Sequence, residues 1–276
     1  MLGDKLITMK KTVIFGMATA LLAISSCSTV PLTGRSRLSL VDESQLQQQA
    51  AIGYAQLLSD PQTKVVSASS TNAQMVKRVG QKIASAVTQY MNQNDYGDQI
   101  ANYKWEYNLI DSKEINAWCM PGGKIAVYTG ILPVTKDEAG LATVMGHEVA
   151  HAIAQHSAER ASQMTVAQGV GAAVGVASSN SKYAQYINAA YGIGGQLAIL
   201  SYGRSQELEA DKMGLAFMAM AGYNPNNAVA FWQRMAQASA GSQKPPAFLS
   251  THPTDETRIA QIQKALPEAM KYYKGK

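Results

Sequence analysis

The sequence predicts an α+β protein that is mostly helical and contains one small β-sheet. Apolar residues recur at helical spacing through most of the chain. Residues 103–128 instead form short apolar and aromatic runs separated by a glycine turn, which is typical of strands. The chain has 276 residues, of which 46% are hydrophobic, enough to bury one large core. We therefore expect a single domain over residues 41–276, preceded by a targeting segment.

Residues 1–26 are typical of a secretory signal peptide. Lys10 and Lys11 precede an apolar stretch over residues 12–24, which is followed by small residues. Its removal takes away three lysines and one aspartate, which lowers the formal net charge from +5 to +3. No basic cluster remains to indicate a nucleic-acid partner. No apolar run reaches the roughly 18 residues expected of a transmembrane helix.

Cys27 follows Ile24-Ser25-Ser26 in a pattern that resembles the lipidation site of bacterial lipoproteins. We therefore expect Cys27 to carry a lipid anchor, with residues 27–40 as a flexible tether between the membrane and the domain. The alternative is an ordinary signal peptide that contains a cysteine. Ser28 favours the outer membrane, facing the periplasm, by resemblance to bacterial sorting rules. If Cys27 is lipidated, Cys119 is the only other cysteine, so an intramolecular disulfide is excluded. Cys119 is then expected to be a small core residue.

Two scaffold helices and three strands are predicted in the first half of the domain. The helices cover residues 42–59 and 71–93, where apolar residues recur on one face. The strands cover residues 103–110, 115–120 and 124–128, with Pro121-Gly122-Gly123 as a turn.

The central stretch of the chain is His147-Glu148-Val149-Ala150-His151. It lies in a helix predicted from Thr135 to Ala161, which Thr135 and Glu138 start as a capping box. His147 and His151 are four residues apart, so both imidazoles leave the same helix face and suit two ligands of a zinc ion. Glu148 points one step round the helix, where it can reach a water molecule as a general base.

The alternative for this stretch is an amphipathic helix with two surface histidines. The chain has only four histidines, and three of them fall within ten residues of a mostly apolar helix. Burial of an unpartnered histidine pair in such a helix is costly, and a metal ion removes that cost. The composition therefore favours the metal site.

A catalytic zinc site takes a third protein ligand and keeps one open position. The metzincin pattern fails because Ala154 and Ser157 occupy the positions of its glycine and third histidine. Glu207 and Asp211, four residues apart on a later helix predicted over residues 204–221, offer another solution. Glu207 is then the third ligand, and Asp211 hydrogen-bonds the far nitrogen of a ligating histidine. A solvated acidic patch is the alternative, but apolar neighbours indicate a buried helix.

The remaining segments are predicted to be helical. Residues 162–200 are rich in glycine and are predicted as two weakly apolar helices in a hairpin, which either packs through small residues or contacts membrane or substrate. Asn224-Pro225 starts a helix that runs to Ser239. A last helix is expected over residues 255–266, with the tail starting at Pro267.

Three motifs together resemble the gluzincin metallopeptidases of family M48, which include HtpX and the CAAX prenyl endopeptidases. They are His147-Glu148-x-x-His151 with Arg204-x-x-Glu207-x-Glu209-Ala210-Asp211, Ile115-Asn116-Ala117-Trp118 with Pro121-Gly122-Gly123, and His252-Pro253 with Arg258-Ile259. The match covers most of residues 40–265. Because the chain has no transmembrane helices, it resembles the soluble bacterial lipoprotein branch that includes the periplasmic β-barrel assembly-enhancing protease. Trp118-Cys119-Met120 departs from the usual Phe-Ala-Leu, which leaves the substrate preference open.

The resemblance implies a zincin-like fold with one Zn²⁺ per chain, held by His147, His151 and Glu207, and with Glu148 as the base. Asp211 and Arg204 would lie around the ligands, and His156 would be a supporting residue. The substrate would extend along the edge strand at Asn116 and Ala117. His252 would stabilise the transition state or act as a removable extra ligand that keeps the enzyme latent; the alternative is a loop histidine with no role. Arg258 would order the loop.

The sequence thus predicts a zinc-dependent endopeptidase of the bacterial cell envelope that hydrolyses unfolded or misassembled envelope proteins. Its expected partners are these substrates, the membrane through its lipid anchor, and the outer-membrane assembly machinery. The alternative is a periplasmic chaperone or assembly lipoprotein with little proteolysis. The presence of Glu148 favours the protease, and an open coordination position conflicts with a purely structural zinc site.

Overall fold

A computed structural model describes residues 27–167, 180–191, 202–240, 246–252 and 256–275 of the chain. The predicted signal peptide lies outside these ranges. The strands are β1 (Cys27–Thr29), β2 (Ser36–Leu38), β3 (Glu106–Ile110), β4 (Ala117–Met120) and β5 (Lys124–Tyr128). The helices are α1 (Glu43–Ser59), α2 (Thr71–Gln93), α3 (Leu132–Thr135), α4 (Glu138–Ile153), α5 (His156–Ala167), α6 (Asn180–Tyr191), α7 (Arg204–Met220), α8 (Asn227–Ser239), α9 (Ala247–Thr251) and α10 (Glu256–Met270). Short 3₁₀ turns cover Gly97–Ile100 and Thr129–Ile131. The mostly helical α+β class is confirmed.

The main sheet has three strands in the order β3-β5-β4, with β3 parallel and β4 antiparallel to β5. Strand β4 therefore lies at an edge, as predicted. Cys119 on β4 is buried and free, as expected of a small core residue, and burial raises the pKa of its thiol. No strand of the described residues pairs with the other side of β4, which can therefore take a further strand.

Residues 27–40 are not a flexible tether. They form a β-hairpin in which β1 pairs antiparallel with β2. Val30 is fully buried, and Arg37 is 4% exposed and donates a hydrogen bond to the carbonyl of Ala154 over 2.6 Å. An apolar residue and an arginine with buried partners hold this segment on the domain, so residue 41 does not begin the folded part of the chain.

The predicted helix from Thr135 to Ala161 is instead two helices. Asp137, not Thr135, caps α4, because its side chain accepts a hydrogen bond from the backbone N–H of Gly140. The helix ends at Ile153, and Gln155 takes a positive φ of 53° before α5 begins. Tyr103 and Arg37 donate to the carbonyls of Ala152 and Ala154, which satisfies the acceptors that a helix end leaves free. This break turns His156 back towards His151.

Helices α4 and α7 touch backbone to backbone where they cross. A Cβ atom added to Gly146 would lie 2.8 Å from the carbonyl oxygen of Gly214. One added to Gly214 would lie 2.8 Å from the backbone nitrogen of His147. Only glycine permits this approach, which brings the acidic face of α7 within contact of the histidines on α4.

Two further boundaries differ from the sequence prediction. Helix α8 begins at Asn227 rather than at Pro225, because Asn224 first makes a turn in which its side chain accepts from the N–H of Asn226. Helix α10 continues through Pro267 to Met270. The last turn, beyond this proline, packs on the domain through Ala269, which is buried in the core.

Parts of the predicted glycine-rich hairpin, residues 168–179 and 192–200, lie outside the described residues. Helices α5 and α6 occupy its described parts. None of the helices in the described ranges is long and apolar enough to cross a membrane.

Substitution Gly214→Ala tests the close crossing. In a free helix this change stabilises by about 1 kcal/mol. Here we expect it to lower the free energy of unfolding by about 1–3 kcal/mol, because the methyl group collides with the backbone of α4. Urea denaturation measures the difference. Lys212→Ala, on an exposed position of the same helix, is the control and should stay within about 0.5 kcal/mol of wild type. A Gly214→Ala protein as stable as wild type would contradict the tight contact.

Candidate metal centre and substrate cleft

Four buried side chains converge on one point beneath the edge of the sheet. His147 and His151 come from α4, Glu207 from the first turn of α7, and His252 follows α9. One ligand atom from each of the four lies within 4.8 Å of the others. Nε2 of His147 is 3.1 Å from Nε2 of His151 and 3.3 Å from Nδ1 of His252. Nδ1 of His252 is 2.9 Å from Oε1 of Glu207.

These spacings suit a metal ion. Four atoms arranged tetrahedrally about 2.0–2.1 Å from a zinc ion are about 3.3 Å from one another. Three ring nitrogens that face one another in a buried site need a proton or a cation between them. In addition, Oε2 of Glu207 has an ion-pair contact with Arg258 at 3.0 Å but no hydrogen bond of good geometry among the described residues. The donors present, imidazole and carboxylate, therefore fit a divalent transition metal.

Asp211 contacts the ring of His147 on the side that faces away from the other donors. Its Oδ1 lies 3.0 Å from Nδ1 of His147. This contact favours the tautomer of His147 that leaves Nε2 free for a metal. Arg258 donates to both oxygens of Asp211 over 2.8 Å and lies 3.0 Å from Oε2 of Glu207. Burial lowers the pKa of Arg258, but Asp211 and Glu207 outweigh it and raise that pKa above its ordinary value.

The two glutamates of the site have opposite environments. Burial raises the pKa of Glu148 to about 7, with only partial compensation from the charge of His252. Burial also acts on Glu207, but the histidines around it hold its pKa well below the usual range. Glu207 is therefore a permanent carboxylate suited to ligation. Glu148 can take up and release a proton near neutral pH, which suits a general base.

A cleft of about 70 Å³ opens beside Glu148, several times the 10–15 Å³ or so that one water molecule needs. Asn116 and Ala117 of the edge strand and His252 line it. Aromatic side chains form much of the remaining wall: Trp118, Tyr128, Tyr186, Tyr191 and Tyr202. The cleft therefore offers an apolar surface next to Glu148.

The edge strand presents alternate backbone groups to this cleft. The carbonyl of Asn116 accepts from the N–H of Tyr128, so residue 116 faces β5. By the alternation of an antiparallel pair, the N–H and C=O of Ala117 face the open side. The side chain of Asn116 accepts from that N–H over 2.9 Å. An incoming strand would take over this donor.

The structure separates the two predicted arginines. Arg204 is exposed at the first residue of α7. Arg258, which was expected to order the C-terminal loop, is 3% exposed and lies among the carboxylates of the site. Glu148, Glu207 and Asp211 are three buried acidic groups, which together require a nearby cation. Their presence on helices predicted to be buried was the signal that could have placed Arg258 in the site.

Two contacts of His151 were not predicted in this form. Tyr202 stacks on its ring, with centroids 4.0 Å apart and an interplanar angle of 24°. His156, expected only as a supporting residue, lies with its Nδ1 2.8 Å from Nδ1 of His151. The sequence carried no signal for the tyrosine, which precedes α7 by two residues.

The model of peptidase family M48 matches residues 70–266. Mitochondrial metalloendopeptidase OMA1 of Schizosaccharomyces pombe is 32% identical over 248 residues, which cover 87% of this chain and 66% of that protein. The human mitochondrial metalloendopeptidase OMA1 is 27% identical over 266 residues, covering 93% and 49%. A putative β-barrel assembly-enhancing protease of Vibrio cholerae is 36% identical over 159 residues, covering 55% and 32%.

The chain spans about a third to two thirds of the length of these relatives. They are mitochondrial as well as bacterial, so the resemblance to HtpX, the CAAX prenyl endopeptidases and the lipoprotein branch stays a prediction. The family match covers more than half of the chain and includes all four residues of the buried donor group. The chain belongs to peptidase family M48.

Proposed function

We propose that the chain is a zinc-dependent endopeptidase of the bacterial cell envelope that hydrolyses unfolded or misassembled envelope proteins. The observation that carries this proposal is the placement of Glu148. It lies in an aromatic cleft, beside a group of metal donors and beneath an open strand edge. A metallopeptidase needs these three features together: a metal site, a base and a place for an extended chain.

His147, His151 and Glu207 would hold the ion. When bound, zinc supplies a Lewis acid that polarises the scissile carbonyl and lowers the pKa of water. Glu148 accepts a proton from the attacking water and passes it to the leaving nitrogen, for which a pKa of about 7 is well suited. Asp211 holds the His147 ring from behind. Nε2 of His252, 3.3 Å from Oε1 of Glu148, faces the same part of the cleft.

The substrate would lie extended along β4 and pair with the backbone of Ala117. Backbone pairing selects chains with free main-chain groups, and the aromatic wall favours apolar side chains. Unfolded proteins expose both. This combination supports quality control rather than the processing of one folded target.

The compartment rests on the N-terminal sequence. Residues 1–26 have the pattern of a signal peptide, and we propose that Cys27 anchors the protein by a lipid to the outer membrane, facing the periplasm. The similarity to β-barrel assembly-enhancing proteases of Vibrio cholerae and Escherichia coli supports a role in the envelope. The outer-membrane assembly machinery is then a proposed partner.

One observation favours a second function, a chaperone with little proteolysis. Nδ1 of His252 lies in the donor group itself, 2.9 Å from Glu207 and 3.3 Å from His147. A fourth protein ligand would fill the position that a catalytic site leaves open. A fourth ligand would also describe a latent form of the protease, and the His252→Ala variant separates the two, since only a latent protease gains activity when the ligand is removed.

Glu148→Gln tests the hydrolase. The full-length chain is loaded with zinc, its metal content is measured, and degradation of an unfolded protein is timed. We expect the rate to fall by about 10²–10⁴-fold with zinc retained, because Glu148 supplies the base and not a ligand. Glu268→Gln, on an exposed position of α10, is the control and should match wild type. If wild type and Glu148→Gln bind zinc and both are inert, the chaperone or a latent form is favoured; if neither binds zinc, the metal site is wrong.

His252→Ala distinguishes a ligand or stabiliser from a loop residue. We expect the cleavage rate to change while one zinc per chain is kept, since His147, His151 and Glu207 remain. A rise in rate identifies a removable fourth ligand, and a fall identifies a stabiliser of the transition state. Metal analysis and the same degradation assay measure both quantities. Unchanged turnover would remove His252 from the site.

Arg258→Met tests the charge balance around the ligands. Methionine keeps the contact with the ring of Trp232, over which the guanidinium lies at 3.6 Å, but removes the charge. We expect the metal-free protein to lose about 3–5 kcal/mol of unfolding free energy, because Asp211 and Glu207 lose their cation. Added zinc should restore part of this loss, since it brings positive charge to Glu207.

Arg234→Met is the matched control for this experiment. Arg234 donates to the neutral carbonyls of Val134 and Thr135. Its loss should cost about 1 kcal/mol, and zinc should not change that cost. Equal zinc responses of the two variants in urea denaturation would contradict the proposed charge balance.

A further inference from the structure

The Nδ1 atoms of His147 and His151, which face away from the donor group, contact different kinds of side chain. Nδ1 of His147 faces the carboxylate of Asp211. Nδ1 of His151 faces no carboxylate among the described residues; it lies 2.8 Å from Nδ1 of His156. Nε2 of His156 in turn lies 3.0 Å from Oε2 of Glu209. His156 is fully buried and Glu209 is 6% exposed, so this chain of contacts is shielded from water.

Hydrogen-bond chemistry determines which nitrogen of each ring carries the proton in this series of contacts. Nε2 of His151 faces the donor group and must be unprotonated to bind a metal, so the proton of the neutral ring lies on Nδ1. That N–H donates to Nδ1 of His156, which must therefore be an acceptor. His156 then carries its own proton on Nε2 and donates it to Glu209. Each hydrogen bond is thus donated in the same direction, from His151 to His156 and from His156 to the ionised carboxylate of Glu209.

Arg35 is the cation that faces this carboxylate. Its Nε donates to Oε2 of Glu209 over 2.8 Å, and Thr33 donates to Oε1 over 2.6 Å. Glu209 thus accepts hydrogen bonds from three side chains, those of His156, Thr33 and Arg35, which is the environment of an ionised carboxylate. Arg35 also makes a bidentate pair with Glu159 of α5, over 2.7 and 2.9 Å. Its guanidinium thus bridges α5 and α7.

Arg35 and Thr33 lie in the turn between β1 and β2, outside the range that the family model matches. The hairpin is held in place independently, by the hydrogen bond from Arg37 to the end of α4. Residues that precede the family domain therefore contribute a charge to the surroundings of a metal ligand.

We propose that Arg35 is a positioning residue for the metal centre, which acts through Glu209 and His156 to set the tautomer and orientation of His151. This inference rests on the proposed metal-dependent function. It makes the hairpin of residues 27–38 a part of the catalytic unit. Cys27, the predicted anchor, is the first residue of the same hairpin.

The test is a double-mutant cycle on the full-length chain. Arg35→Gln, His156→Ala and the double variant are compared with wild type by competition for Zn²⁺ with a chromophoric chelator. The visible spectrum of the Co²⁺-substituted proteins gives a second readout of ligand geometry. We expect zinc affinity to fall about 10-fold in Arg35→Gln, the magnitude typical of lost contacts behind a ligand. The double variant should bind no more weakly than His156→Ala alone, with altered Co²⁺ bands in all three.

Two further variants keep the test decisive. Arg35→Lys retains the charge and should recover part of the affinity. If circular dichroism shows that His156→Ala does not fold, the isosteric Glu209→Gln takes its place in the cycle. Arg78→Gln is the control, because it removes an exposed ion pair with Glu138 at the other end of α4 and should bind zinc like wild type.

Two results would overturn the proposal. One is a folded Arg35→Gln protein with the zinc affinity and Co²⁺ spectrum of wild type. The other is an additive loss in the double variant, which would mean that Arg35 acts without His156. In both cases wild type still binds zinc, so the proposed function survives. A wild-type chain that binds no zinc would instead reject the metal centre and this inference together.

Discussion

The contact between α4 and α7 at Gly146 and Gly214 is the constraint on which the rest of the site depends. The added-Cβ distances of 2.8 Å show that no side chain fits between the two backbones there. This approach places Glu207 and Asp211 against both nitrogens of His147. A wider crossing would leave the carboxylates and the imidazoles too far apart to share one ion.

Close packing of so many ionisable groups creates an electrostatic cost that the surrounding residues reduce. Glu148, Glu207 and Asp211 are each at most 5% exposed. Arg258 offsets two of these charges directly, and a metal ion would offset the remainder. The positive charge available to each carboxylate differs. Glu207, surrounded by histidines, stays ionised, while burial raises the pKa of Glu148 to about 7. The same arrangement thus gives two identical side chains different protonation behaviour, which suits the proposed roles of Glu207 as a ligand and Glu148 as a base.

Local sequence patterns predicted most elements, and the errors have a common cause. Helices α1 and α2 and strand β5 fall close to their predicted bounds, because apolar periodicity and caps act within a few residues. The break at Gln155, the hairpin of residues 27–38 and the extension of α10 past Pro267 were missed. Each depends on a distant partner: Arg37 and Tyr103 on the end of α4, Val30 in the core, and Ala269 against the domain.

The sequence by itself determined the chemistry that this chain carries. The spacing of His147 and His151 places two imidazoles on one helix face, and the spacing of Glu207 and Asp211 does the same for two carboxylates, because both follow from the 3.6-residue period. Only the tertiary structure decided which residues complete the site. Arg258, His156, Tyr202 and Arg35 come from separate elements, and nothing in their local sequence specifies a partner. Contacts between such residues arise from the packing of whole helices, which no short-range pattern encodes.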